Sequence, residues 1–233
     1  MQLKILSWNI WYDGHFDEIC KFLASFNADI IGLQEVVPDD PARDTIGFLK
    51  KLGYHYVFAP VKTIKKDGRT MSNAIFSKYP IINSETYVLS KTSSRNALRA
   101  DIKIREIVLN VFNTHLLHTH QQPSEIQELQ IDNLIKVLPK EKTIVMGDFN
   151  ATPESNTIKK MGGILKNTDP GLIPTWSVYP EGCPVCNPEK IDIRLDYIFV
   201  STDIKTNLPK VENSKGSDHL PISIIIEMID LPK

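Results

Sequence analysis

Six times along this chain of 233 residues, an apolar, β-prone run ends in a side chain suited to holding a cation, a proton or a phosphate. The segments are Trp8-Asn9-Ile10, Leu33-Gln34-Glu35-Val36, Asn113-Thr114-His115-Leu116, Gly147-Asp148-Phe149-Asn150, Arg194-Leu195-Asp196-Tyr197-Ile198 and Ser217-Asp218-His219-Leu220-Pro221. Each alone has a plain structural explanation. Gly147-Asp148-Phe149-Asn150 is a good turn, Ser217-Asp218-His219 a good cap, and His115 could be a hydrogen-bonded core histidine. Asp196 is harder to dismiss, because a carboxylate inside a β-prone run must be paired or lie at an edge. Taken together, the six require a fold that gathers strand ends from almost the whole chain along one rim.

The periodicity fits such a fold. A strand from about Leu3 to Asn9 precedes Phe16, Ile19, Cys20, Leu23 and Phe26, which recur at helical spacing. Asp29–Gln34 reads as a second strand with Glu35 at its C-terminal end, and a helix over Ala42–Leu52 is stopped by Gly53. Strands follow at about Tyr54–Phe58, Met71–Phe76, Ile81–Leu89, Ala97–Ile104 and Ile107–Asn113. Ser124 and Gln127 form a capping box before Ile131, Leu134 and Leu138. Thr143–Met146 is a strand, Thr152-Pro153 starts a short helix ending at Gly162-Gly163, and Leu195–Val200 and Leu220–Ile226 close the series. The crowd of central strands excludes a simple doubly wound sheet and favours two adjacent sheets with outer helices. With no linker and no repeat, residues 1–233 are expected to form a single catalytic domain.

Charge narrows the function. Lys and Arg number 27 against 28 Asp and Glu, so no global cationic field is present to coat DNA non-specifically. A local phosphate-binding cleft remains open. No apolar run approaches the roughly 18 residues of a transmembrane helix, and the N-terminus has no leader pattern, so a cytoplasmic location is expected.

Phosphoester hydrolysis needs a cation, an activated water, groups that hold the phosphoryl oxygens and relief of leaving-group charge. Hard oxygen ligands suit Mg²⁺ or Mn²⁺, and Glu35, Asp218, Asn9 and Asp148 could supply them. His219 and His115 could touch phosphate or water, Asp196 could orient His219, and the Asn150 amide could hold a phosphate oxygen. No Cys/His zinc set is evident among these motifs. Cys183-Pro-Val-Cys186 reads as half a zinc ribbon, as a redox pair or as a plain turn, while Cys20 lies in a helical apolar pattern.

The ordered motifs, spanning Trp8-Asn9 to Ser217-Asp218-His219-Leu220-Pro221, resemble the endonuclease/exonuclease/phosphatase superfamily, whose fold is that of pancreatic deoxyribonuclease. The resemblance implies a four-layer α/β sandwich of two packed mixed β-sheets flanked by helices. It implies Glu35 as principal Mg²⁺ ligand with Asn9 and Asp218, His219 paired with Asp196 at the water or phosphate, Asp148 and Asn150 beside the nucleophile, and His115 stabilising the transition state. It leaves the general base open between Asp148 and His219. Repair endonucleases of the family usually follow the glutamate with Thr-Lys, where this chain has Glu35-Val36-Val37. The His115 form is similar to deoxyribonuclease I, neutral sphingomyelinases, deadenylases and inositol-phosphate phosphatases.

The expected activity is Mg²⁺-dependent hydrolysis of phosphodiesters, with nucleic acid as the first substrate class. A small or inositol-like phosphomonoester, or a sphingomyelin-like lipid, is the alternative. Substrate contacts are expected from Trp11, Trp176, Arg99 and Asn73. The basic run Lys62–Arg69 and the histidines His118 and His120 could extend the site. Nothing in the sequence points to a protein partner.

Overall fold

The structure, a computed structural model, describes residues 1–227 except 170, 172, 180–182, 184 and 187. Among the described residues two six-stranded sheets pack face to face. The first holds β1 (Gln2–Asn9), β2 (Ile30–Val36), β3 (His55–Thr63), β4 (Thr70–Ser77), β11 (Lys205–Val211) and β12 (Ile222–Glu227), in the order β11-β12-β1-β2-β4-β3. The second holds β5 (Ile81–Ser90), β6 (Arg95–Ile104), β7 (Ile107–His115), β8 (Thr143–Asp148), β9 (Lys166–Asn167) and β10 (Asp196–Val200), in the order β5-β6-β7-β8-β10-β9. Both sheets are mixed: β1 runs parallel to β2 and β7 parallel to β8, and the other pairs are antiparallel.

Strand alternation builds the layers. Leu3 and Ile5 of β1, Ile144 and Met146 of β8, Ile198 and Val200 of β10, and Ile222, Ile224 and Ile226 of β12 meet between the sheets. The opposite parity covers the outer faces. Leu6, Trp8, Ile31, Leu33 and Phe76 pack with Ile19 and Leu23 of α1 (Phe16–Phe26) and Leu49 of α2 (Thr45–Lys51). On the other side Phe112, Val145, Tyr197 and Phe199 pack with Ile131 and Leu134 of α3 (Glu125–Ile135) and Ile158 and Met161 of α4 (Asn156–Gly162). The result is the expected four-layer sandwich.

Three local expectations change. The helix over Ala42–Leu52 is a 3-10 turn, Pro41–Arg43, followed by α2, because Asp44 caps a new start by accepting from the Gly47 N–H at 2.7 Å. The capping box at α3 is half made. Ser124 Oγ accepts from the Gln127 N–H at 3.3 Å, but the Gln127 amide instead donates to the carbonyls of Leu117, Phe149 and Asn150. β11 was not anticipated. It is an exposed edge strand with Pro209 in it and a register shift between Asn207 and Lys210, and it carries too little apolar alternation to be seen.

Candidate active site

The in-phase residues of several inner faces converge at one end of the sandwich. Along β7, β8 and β10 the inward parity ends in His115, Asp148 and Asp196, and the register sets these three side by side: His115 opposite Asp148, Asp148 opposite Asp196. Gly147 allows this row to close up. Its φ is +149°, and a Cβ there would meet the Thr114 carbonyl at 1.9 Å. From the facing sheet, Asn9 continues the parity of Leu3 and Ile5 to the same end.

Glu35 breaks the parity. Ile30 faces between the sheets and Leu33 faces the helices, so simple alternation would turn Glu35 outward as well. The register between β2 and β4 shifts between Leu33 and Val36, and Glu35 adopts φ 61°. This bulge re-aims the carboxylate into the cleft. There Oε1 accepts from Asn9 Nδ2 at 3.1 Å and Oε2 from the Tyr12 N–H at 3.1 Å.

Asn9 ties the two sheets, because the same Nδ2 donates to Asp148 Oδ2 at 3.0 Å. Its Oδ1 accepts from the Trp11 N–H at 3.0 Å. The amide therefore presents its donors, not its oxygen, to the carboxylates. Asp148 is an acceptor on all sides. Oδ1 receives the Asn150 N–H at 2.8 Å, Oδ2 receives Asn150 Nδ2 at 3.2 Å, and His115 Nε2 lies 3.4 Å away. His219 reaches in from the loop before β12. Its Nδ1 pairs with Asp196 Oδ2 at 2.8 Å and its Nε2 points to Asp148 Oδ2 at 3.7 Å. Asp196 is held by the Thr175 hydroxyl at 2.6 Å. Ser217 Oγ donates to the Asn9 carbonyl at 2.7 Å, and Asp218 Oδ2 accepts from Trp176 Nε1 at 3.2 Å, which fixes the 217–219 loop over β1.

Burial dominates the electrostatics. It raises the pKa of Glu35, with Asp218 adding to the effect. It raises Asp218, and it pushes Asp148 up to about 7 against the pull of His219. Burial would depress His219, but Asp196, Asp148 and Asp218 outweigh it and hold the imidazole well above its usual value. His115 goes the other way, well below its usual value, through burial and the nearby Arg95 cation. Glu35, Asp148, Asp218 and His219 thus bind protons more tightly folded than unfolded. The stability this provides is complete below their unfolded values and is lost as pH rises through the folded ones, about 7 for Asp148. His115 opposes this only below its ordinary value of 6.5. Metal-free protein is therefore expected to melt at progressively lower temperature from about pH 6.5 to about pH 8, and a divalent cation should cancel the decline. A flat metal-free profile across that window would contradict the assignment.

These residues floor a cleft of about 570 Å³ walled by Trp11, Tyr12, Lys62, Lys66, Arg95, His118, His120, Trp176 and Cys183. Trp11 and Trp176 both line the cleft, with Trp11 stacked on Tyr179 at 6.0 Å. Arg99 does not reach the cleft. It has the helix-side parity of β6, between the inward Leu98 and Ala100, and binds Asp101 at 2.6 Å and Asn110 at 2.8 Å. Asn73 is also displaced from the surface. It is fully buried between the sheets and donates to Asn96 Oδ1 at 3.0 Å, beside a Gln34–Asn113 contact of 2.6 Å. Arg95 takes the place expected of Arg99. It is 7% exposed, lines the cleft, and its Nη1 has no hydrogen-bond partner among the described residues. Within the basic run only Lys62 and Lys66 line the cleft; Arg69 is neutralised by Asp13, Asp40 and Asp67. No described helix is long and apolar enough to cross a membrane.

Asp148, Asp196 and His219 bring ligand-type atoms within 4.8 Å of one another, and Glu35 and Asp218 add carboxylates whose ionisation burial opposes. Such a surplus of buried acid, on the floor of a cationic and aromatic cleft, fits a divalent cation and a phosphoester. Fold and site together define a metal-dependent phosphoesterase. The chain belongs to the endonuclease/exonuclease/phosphatase family, whose model matches residues 6–219. A search of curated proteins gives no match. Among solved structures it is similar to an endonuclease/exonuclease/phosphatase protein from Beutenbergia cavernae (20% identity, TM-score 0.79, 97% of this chain and 72% of that one). It is also similar to ANGEL2, a 2′,3′-cyclic phosphatase (18%, 0.74, 97% and 95%), and to a mannosyl-6-phosphatase from Bacteroides thetaiotaomicron (18%, 0.71, 97% and 100%). At these identities the likeness establishes the fold.

Proposed function

We propose that the chain hydrolyses phosphodiester bonds in nucleic acid, with Mg²⁺ as its cation and Mn²⁺ as a working substitute. The observation that carries this reading is the composition of the cleft. Arg95, Lys62 and Lys66 stand with Trp11, Tyr12 and Trp176 around a carboxylate floor. On a chain of net charge −1 this local set favours a polyanion, and the rings suit bases. The volume, about 570 Å³, accommodates a nucleotide-sized group.

Glu35 is the best cation ligand, with Asp218 beside it, since Asp196 and His219 are committed to each other at 2.8 Å. Asn9 braces Glu35 and Asp148 through its N–H groups and would have to turn to ligate through oxygen. Bound there, the cation would neutralise phosphate charge and ease departure of the leaving oxygen. Asp148, poised near neutral pH, takes the proton of the attacking water, while Asn150 holds its orientation. His219 stays an imidazolium against Asp196 and donates from Nε2 to a phosphoryl oxygen. Neutral His115 donates beside it as charge builds in the transition state. Direct attack by water inverts the phosphorus and leaves no covalent enzyme intermediate.

The test is a panel of single- and double-stranded DNA, RNA, sphingomyelin and small phosphomonoesters with Mg²⁺, Mn²⁺ or EDTA. Metal-dependent cleavage of a nucleic acid is the expected result. Turnover confined to a monoester or to sphingomyelin would replace this reading with the phosphatase or lipid-phosphodiesterase one. Arg95→Met should raise KM by about tenfold or more, the worth of one charge-assisted hydrogen bond to phosphate, with little change in kcat. Unchanged KM would remove Arg95 from the substrate site.

A further inference from the structure

The other half of the Cys183/Cys186 motif is present in space. It is supplied by His118 and His120 on the loop after β7, more than sixty residues away in sequence. We propose that His118, His120, Cys183 and Cys186 form a structural zinc site, separate from the carboxylate centre. The ligand atoms describe a closed tetrahedron. Cys183 Sγ lies 3.9 Å from His118 Nε2 and 3.6 Å from His120 Nδ1. Cys186 Sγ lies 3.7 Å from His118 Nε2 and 3.2 Å from His120 Nδ1. The two nitrogens are 3.0 Å apart and the two sulfurs 2.6 Å. Zinc bonds of about 2.3 Å to sulfur and about 2.0 Å to nitrogen give tetrahedral S–N edges of roughly 3.5 Å. The four mixed edges bracket that value; the nitrogens must open slightly, to roughly 3.3 Å, and the sulfurs further, to roughly 3.8 Å.

The donor chemistry agrees. Two thiolates and two imidazoles are a zinc set and a poor Mg²⁺ set, and four protein ligands leave no open position for water. His120 and Gln121 adopt consecutive left-handed conformations, φ 51° and 60°, in the turn that carries these histidines. Cys183 is buried against Trp176 and Leu195, with Cys186 and Ile193 packed on the same cluster. The metal would therefore pin the loop before β10 to the loop after β7, on the wall of the substrate cleft.

The site also has the outer hydrogen bond that ligating histidines usually make. With Nε2 on the metal, His118 Nδ1 is left to donate to Asn150 Oδ1, 2.8 Å away. The Asn150 amide then donates to Asp148 Oδ2 at 3.2 Å and to the Leu116 carbonyl at 3.2 Å. His118 is thus a positioning residue: it fixes which way the Asn150 amide faces. This link bears on catalysis only through the phosphoesterase site; the zinc site itself stands without it.

Elemental analysis of chain purified from zinc-containing medium, without chelator, tests the proposal. One tightly held zinc per chain is expected, retained in excess Mg²⁺ and in Glu35→Gln, and lost in Cys183→Ser and in His118→Ala. Should those variants fail to fold, Co²⁺ added to reduced wild-type chain should give the intense visible bands of a tetrahedral ion and a thiolate charge-transfer band. Weak octahedral cobalt bands would overturn the proposal. So would zinc lost equally in Glu35→Gln, or a native mass short by two hydrogens, which marks a Cys183–Cys186 disulfide.

Discussion

Asp148→Asn is expected to lower kcat by about a thousandfold, the usual worth of a general base, while the chain still binds Mg²⁺ through Glu35. Asp148 accepts hydrogen bonds from Asn9 and from the backbone and side chain of Asn150, with the His115 and His219 Nε2 atoms 3.4 and 3.7 Å away. An amide in its place must turn an N–H₂ toward at least one of those donors. The substitution therefore removes the proton acceptor and breaks the network that orients it. The pH profile separates this role from a structural one. Wild-type kcat should rise with pH through about 7 as the carboxylate ionises, although bound cation would move that midpoint downward. In Asp148→Asn the residual rate should lose that limb. A variant that keeps activity within tenfold of wild type would transfer the base role to His219, the alternative left open by the family resemblance.

How much of this was legible beforehand follows from strand parity. His115, Asp148 and Asp196 lie in phase with Val111, Met146 and Ile198, so the alternation that buries the core also delivers them to one rim. The same alternation argues against Arg99, which is out of phase with Leu98 and Ala100; Arg95 shares that parity, and it reaches the cleft because it is the first residue of the strand, at the rim itself. Glu35 was recognisable only as part of the motif set, because its direction depends on a bulge and a positive φ that no local residue announces. Asn73 is in phase with Ile75, so the alternation of β4 turns it between the sheets, where it meets Asn96, and not toward the rim. The Cys183–His118 neighbourhood was invisible for a different reason. A short Cys pair and a short His pair carry no pairing information, and only the closure of two distant loops over Trp176 brings them together.

Glu35→Gln should abolish metal-dependent turnover and at the same time make the metal-free chain more stable. The carboxylate is only 14% exposed, and burial together with Asp218 opposes its ionisation. Its fixed partners are two N–H donors, from Asn9 and Tyr12, with His115 Nδ1 a further 4.0 Å away. A glutamine oxygen can keep one of these bonds, and the neutral side chain avoids the cost of a buried charge. The expected gain is about 1 kcal/mol at neutral pH, read as a higher melting temperature in EDTA. With Mg²⁺ the order should reverse, because wild type gains stability from cation binding and the variant does not. Calorimetric titration should likewise lose its Mg²⁺ isotherm in the variant. This crossing of the two melting curves is the signature of a residue retained for its cation at the expense of the fold. If Glu35→Gln instead destabilises the metal-free chain and leaves Mg²⁺ binding intact, Glu35 is a structural brace and the cation belongs with Asp148, Asp196 and His219.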